Sequence, residues 1–143
     1  MKNKCFLVLI GSYLLAFSIN LMPAMKYPDL HIDLLDLGVS LVYMFFLFIY
    51  ARKGMKGFRI FLLLGIVSGV VIFLSDGIMA GNGIWDVLAN IHYPFYFIFT
   101  TPLFGGNYLF NISHEAYSLV LSLLYAIVFG ITLYFEKRRV QTE

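Results

Sequence analysis

The chain has 143 residues, of which 61% are hydrophobic and only 13% charged, with 15 Phe beside 10 Tyr and a mean hydropathy of +0.86. Such a composition cannot cover a water-facing surface with polar groups, which excludes an ordinary soluble domain and indicates a membrane protein. The formal net charge of +2 is too small to indicate a nucleic-acid partner. A single cysteine, Cys5, excludes an intramolecular disulfide and a four-thiolate metal site.

Residues 5–23 form the first predicted span. They carry no charge and follow Lys2 and Lys4, so they are either a signal peptide or a first transmembrane helix. The apolar stretch is longer than the core of a usual signal peptide, and residues 21–24 lack a small-x-small cleavage pattern. We therefore expect an uncleaved helix that ends near Pro23.

Three further apolar runs are long enough to cross a membrane as helices. The second span covers about 34–51, and Gly54 and Gly57 in the basic stretch after it favour a turn. The third span covers about 58–78, and the last covers about 116–135. Since no linker or repeat is visible, we predict one domain over the whole chain, an all-α integral membrane protein built on a four-transmembrane-helix bundle.

The stretch 87–114 is apolar and rich in aromatic residues, and its central part, about 91–110, could cross or re-enter the membrane. Pro94, Pro102 and residues 105–107 interrupt it as a helix. Backbone broken in this way at membrane depth must be covered by protein or by water. We expect a partly helical interfacial or re-entrant segment before the last helix, with a kinked fifth helix as the alternative.

The positions of Lys and Arg predict the orientation of the spans. None lies between Arg59 and Lys137, and all others except Lys26 lie at the N-terminus, in the 52–59 turn or at the C-terminus. Basic residues accumulate on the cytoplasmic side of membrane proteins, and only an even number of spans puts all three clusters there. We predict cytoplasmic termini, in a pattern typical of small multi-pass proteins of bacterial cell membranes.

Small residues recur at every fourth position in the third and last spans. Such positions share one helix face, where small side chains let a neighbouring backbone approach closely. The face could form a homodimer, but we favour packing within the bundle. The residues are Gly65 and Gly69 in the third span, with Ser118, Ser122, Ala126 and Gly130 in the last.

Carboxylates and imidazoles gather on the predicted outer side. A divalent cation or an acid/base pair would need nitrogen and oxygen donors of this kind. The candidate ligands are Asp33, Asp36, Asp76, His114 and Glu115. Their spacing matches no specific metal motif, and acids near helix N-termini also stabilise the helix dipole. We therefore predict neither a metal nor a cofactor, and interpret the group as solvated surface.

The predicted spans carry no Asp, Glu, Lys, Arg or His near their centres, where charge-coupled transport usually needs such a residue. No specific catalytic or nucleotide motif is visible either. We expect a non-enzymatic protein that acts through helix contacts as an accessory, immunity-like or regulatory subunit. Its partners would be the lipid bilayer and another membrane protein or a second copy. Two alternatives stay open, namely an outer-face enzyme or metal- or lipid-interacting protein, and a small oligomeric channel or carrier.

Overall fold

The computed structural model describes the backbone of residues 2–78 and 83–142, with the side chains of residues 4–75, 87 and 90–141. Within these ranges the regular structure is entirely helical. In chain order the α-helices are α1 (Lys2–Lys26), α2 (Leu34–Ala51), α3 (Lys56–Ile78), α4 (Gly83–Phe95), α5 (Asn107–Phe110) and α6 (His114–Thr142).

Four of the helices, α1, α2, α3 and α6, are long and apolar enough to cross a membrane. The all-helical class with four candidate spans is therefore confirmed, and it is compatible with a multi-pass membrane protein. Helix α1 continues past Pro23 to Lys26, since a proline this close to a helix end removes only one hydrogen bond of the last turns. Helix α6 extends through the basic residues 137–139.

The long helices form two pairs, α1 with α2 and α3 with α6. Arg59 of α3 and Glu136 of α6 form an ion pair with 3.0 Å between Nη1 and Oε2. The ring of Tyr50 in α2 lies 4.9 Å from that of Phe58 in α3 and 6.0 Å from that of Phe6 in α1, measured between centroids. These contacts bring the start of α1, the α2–α3 turn and the last turns of α6 to one end of the bundle, the basic end.

The α2–α3 turn depends on Gly54. Its φ of 55° lies in the left-handed region that favours glycine. A Cβ at this position would also lie 3.0 Å from the Glu136 backbone. The Lys53 N–H donates to the Tyr50 carbonyl at 2.9 Å and the Gly54 N–H to the Ala51 carbonyl at 3.1 Å. The turn therefore fits closely against α6.

Helices α3 and α6 come closest where glycine faces serine. A Cβ on Gly69 would lie 2.6 Å from the Ser122 Cβ and would collide with the Ser118 carbonyl. The Ser122 hydroxyl donates a 2.8 Å hydrogen bond to the Ile66 carbonyl of α3. Glycine at 69 is therefore required by space, because no larger side chain fits at this separation.

The remaining small positions differ in their surroundings. A Cβ on Gly65 would lie 2.8 Å from the ring of Tyr125. Ala126 is half-buried, whereas Gly130 is exposed and a Cβ there would meet nothing within 4 Å. The stripe of small residues on α6 thus begins against α3 and ends on the surface of the bundle.

Residues 83–110 form a folded-back stretch that we call the return segment. Helix α4 lies along α3 and continues into a π-helical turn (Tyr96–Thr100) and a 3-10 helix (Thr101–Gly106). The 3-10 helix packs against both α1 and α2. Short α5 then leads to α6. The return segment therefore contacts both helix pairs.

Contacts with α1 trace the path of the return segment. The Tyr96 hydroxyl donates a hydrogen bond to the Ala24 carbonyl near the end of α1. The Ile98 carbonyl accepts one from Tyr13, in the middle of α1. The Pro102 carbonyl accepts one from Asn20, which lies between the other two positions on α1. At about 1.5 Å per residue, Ala24 and Tyr13 lie about 16 Å apart on α1, and Tyr13 and Asn20 about 10 Å apart. Because Tyr96 and Ile98 are only two residues apart, the long Tyr96 and Tyr13 side chains span much of the first distance. The order of these contacts along α1 indicates that the segment reverses near Ile98, and α6 starts at the end opposite the basic end.

Replacing Gly69 by Leu should lower the unfolding free energy by about 1–3 kcal/mol, because the added side chain forces α3 and α6 apart. Gly130→Leu is the matched control, since it adds the same side chain to open space. Thermal unfolding of both variants in detergent measures the difference. Equal stability of the two variants would contradict the close approach at Gly69.

Candidate functional site

Backbone carbonyls of the return segment accept hydrogen bonds from side chains of the long helices. The Tyr13 hydroxyl of α1 donates to the Ile98 carbonyl at 3.1 Å. The Tyr125 hydroxyl of α6 donates to the Phe99 carbonyl at 2.8 Å. Where a helix changes from α to π and then to 3-10 geometry, its regular hydrogen-bond ladder is disturbed. The tyrosines supply donors at the point where the chain reverses.

Two further donors meet the carbonyl of Pro102. The Asn20 side-chain N–H and the Ser40 hydroxyl each lie 3.1 Å from this oxygen. Asn20 is 0% exposed and Ser40 is 2% exposed, and 2.9 Å separates Asn20 Nδ2 from Ser40 Oγ. Among the described residues, Asn20 Oδ1 has no hydrogen-bond partner. The polar side chains of α1 and α2 are thus directed at one backbone group of the 3-10 helix.

A third tyrosine, Tyr117, donates to a carbonyl within the 3-10 helix. The Tyr117 hydroxyl of α6 donates to the Leu103 carbonyl at 2.7 Å. Side chains of α1, α2 and α6 therefore converge on four carbonyls, those of Ile98, Phe99, Pro102 and Leu103. We call the donors Tyr13, Asn20, Ser40, Tyr117 and Tyr125 the donor set.

Two consecutive glycines let the return segment pass between α2 and α6. A Cβ on Gly105 would collide with the Asp36 backbone and lie 2.7 Å from Ser40 Oγ. A Cβ on Gly106 would collide with the Tyr117 hydroxyl. Space rather than backbone conformation requires glycine here, because neither residue has a positive φ.

Opposite the basic end, four of the candidate metal ligands lie at the starts of two helices, Asp33 and Asp36 at α2 and His114 and Glu115 at α6. The Asp33 N–H donates to the Asp36 carboxylate at 2.7 Å, which closes the start of α2 as a helix cap. His114 Nε2 lies 3.2 Å from Glu115 Oε1 at the start of α6. Asp76 has no described side chain. Among the described side chains, no three of His, Cys, Asp or Glu could hold a metal ion.

A cavity of about 270 Å³ lies near the start of α6, and sequence reasoning did not identify it. His92 of α4 and His114 of α6 both line it, together with Tyr27, Tyr93 and Tyr96. Both imidazoles thus line one cavity although they are distant in sequence. The sequence shows that 87–114 contains aromatic residues and histidines, but not that they line one cavity.

No protein-family model, curated protein or solved structure matches this chain.

Tyr125→Phe should lower the unfolding free energy by about 1–3 kcal/mol, since the Phe99 carbonyl loses its donor while the ring is retained. Tyr134→Phe removes the same hydroxyl from a side chain that is 60% exposed, and should change stability little. Thermal or denaturant unfolding in detergent compares the variants. If Tyr125→Phe matches the wild type, the hydrogen bond does not secure the return segment.

Gly105→Ala should be destabilising, because its methyl group must displace the Asp36 backbone. At Gly38 of α2 the same change meets nothing within 4 Å and should be neutral or stabilising, as usual for alanine in a helix. The melting temperatures of both variants measure the contrast. A stabilised Gly105→Ala would show that the 3-10 helix does not lie against α2.

Proposed function

We propose that the protein crosses the cell membrane four times, with the basic end in the cytoplasm and the return segment entering from the other side. The distribution of basic residues supports this orientation, because the positively charged ends of spans favour the cytoplasm. The reversal near Ile98 supports re-entry over a fifth crossing, since the chain leaves the return segment at the end where it entered.

We further propose that it has no enzymatic activity and acts as an accessory or regulatory subunit through contacts with another membrane protein. One observation carries this proposal: the donor set is directed at the protein's own backbone. A channel or carrier would instead need polar groups along a path. The polar side chains of the donor set hold the return segment in place. Recognition of a partner would then depend on the outward faces of the helices.

The end of the small-residue stripe on α6 is the face that we assign to a partner helix. Gly130 is exposed, and Ile127 beside it is 52% exposed. Small residues on a lipid-facing surface allow a second helix to approach closely. The close approach increases van der Waals contact between the two helices, which stabilises their association where no hydrophobic effect drives it. A partner helix would therefore dock against α6 on the side facing away from α3.

Site-specific photo-cross-linking in native membranes tests this role. A photoreactive residue at Ile127 should give a discrete protein adduct, and the same residue at Leu64 of α3 should not. Gly130→Leu should abolish the adduct without lowering stability, because a Cβ at this exposed position meets no atom of the bundle within 4 Å. Adducts with lipid alone at both positions would contradict a partner on this face.

Cysteine labelling tests the orientation separately. In a Cys5→Ala background, Asp29→Cys should react with a membrane-impermeant maleimide in intact cells, whereas Lys137→Cys should react only after permeabilisation. Both positions are exposed, so access to the reagent depends on the side of the membrane. Labelling of Lys137→Cys in intact cells would overturn the four-span orientation.

A further inference from the structure

A groove of about 470 Å³ opens at the basic end between α1, α2 and the start of α3. Its walls are mainly aromatic and include Phe6, Tyr13, Tyr43, Tyr50, Phe58 and Phe61. The Tyr13 hydroxyl is bonded to the Ile98 carbonyl, and the Tyr50 hydroxyl lies 3.0 Å from the Met55 sulfur. Since both hydroxyls have partners within the protein, these tyrosines offer mainly ring carbon to an occupant of the groove.

The groove runs along the helices. On α1 its lining extends from Phe6 to Tyr13, and on α2 from Tyr50 to Tyr43. Each stretch corresponds to about 10 Å of helix. Met55 and Gly57 lie at its end near the α2–α3 turn. An apolar slot with this direction is parallel to the hydrocarbon chains of a surrounding bilayer.

Basic residues are close in sequence to the residues that line the groove at the basic end. Lys53 and Lys56 flank Met55 in the sequence, and Lys4 precedes the lining residue Phe6. Arg59 is paired with Glu136, but among the described residues neither Lys53 nor Lys56 lies within ion-pair distance of a carboxylate. The rim therefore offers ammonium groups to an anion.

We propose that this groove binds an anionic phospholipid of the cytoplasmic leaflet, with an acyl chain in the slot and the phosphate headgroup at Lys53 and Lys56. The inference rests on the proposed membrane orientation. Basic residues at the cytoplasmic boundary attract anionic lipid headgroups, and the aromatic walls match a hydrocarbon chain. A zwitterionic lipid fits the slot but gains less from the rim.

Native mass spectrometry of the full chain in an uncharged detergent tests lipid selectivity. Phosphatidylglycerol should bind more tightly than phosphatidylcholine with the same acyl chains. Neutralising Lys53 and Lys56 together should weaken phosphatidylglycerol binding by about fivefold per residue and leave phosphatidylcholine unchanged. The matched control neutralises Lys137 and Arg138, which removes the same charge at the same end. Equal binding of the two lipids by the wild type would overturn the proposal.

Gly57→Leu tests the slot itself. A Cβ on Gly57 meets nothing within 4 Å, so the leucine can enter the groove without displacing the bundle. It should abolish phosphatidylglycerol binding while the lipid-free melting temperature stays unchanged, and Gly130→Leu should retain binding. Full binding by Gly57→Leu would overturn the site and reduce the interaction to charge at the surface. Lipid binding is measured in detergent, whereas cysteine labelling is measured in cells. A failure of the lipid proposal is therefore distinguishable from a failure of the proposed orientation.

Discussion

Four backbone carbonyls between Ile98 and Leu103 accept hydrogen bonds from side chains of the long helices, at a place where lipid would offer no water. In hydrocarbon an unsatisfied peptide group costs several kcal/mol, so a chain that reverses inside a bundle depends on donors from its neighbours. The donor set supplies them from α1, α2 and α6. This constraint explains why polar side chains occur in otherwise apolar helices.

The same hydrogen bonds connect the two helix pairs. The 3-10 helix packs between α1 and α2, while α4 and the π-helical turn contact α3. Tyr125 reaches Phe99 from α6, and the Phe61 ring of α3 lies 5.1 Å from that of Phe99. The return segment thus acts as a shared core for both pairs, and its loss would leave each pair with an uncovered face.

The hydropathy pattern predicted the four long helices because each apolar run is close to the length that a helix needs to cross the hydrocarbon core of a membrane. The partners within the donor set could not be predicted, since Tyr13 and Ile98 are 85 residues apart and a single sequence carries no record of such contacts. Pro94, Pro102 and the paired glycines did indicate a broken segment. Its reversal became visible only in the contacts.

The small-residue stripe on α6 illustrates a similar limit. Residues four apart advance about 40° beyond a full turn, so Gly130 lies about 120° around the helix from Ser118. A straight neighbour such as α3 therefore contacts Ser118 and Ser122 but not Gly130. Local signals were more informative at the start of α2, where Asp33 and Asp36, three residues apart, form a helix cap.

The depth of the return segment in a bilayer tests the reversal most directly. Spin labels at Tyr93, Ile98 and Tyr108, all partly exposed positions, can be introduced singly in a Cys5→Ala background. Relaxation by oxygen and by a water-soluble paramagnet gives the immersion depth of each label. The label at Ile98 should be deepest, with those at Tyr93 and Tyr108 shallow and on the same side. Steadily changing depth from Tyr93 through Ile98 to Tyr108, ending at the cytoplasmic surface, would contradict the reversal and indicate a fifth span.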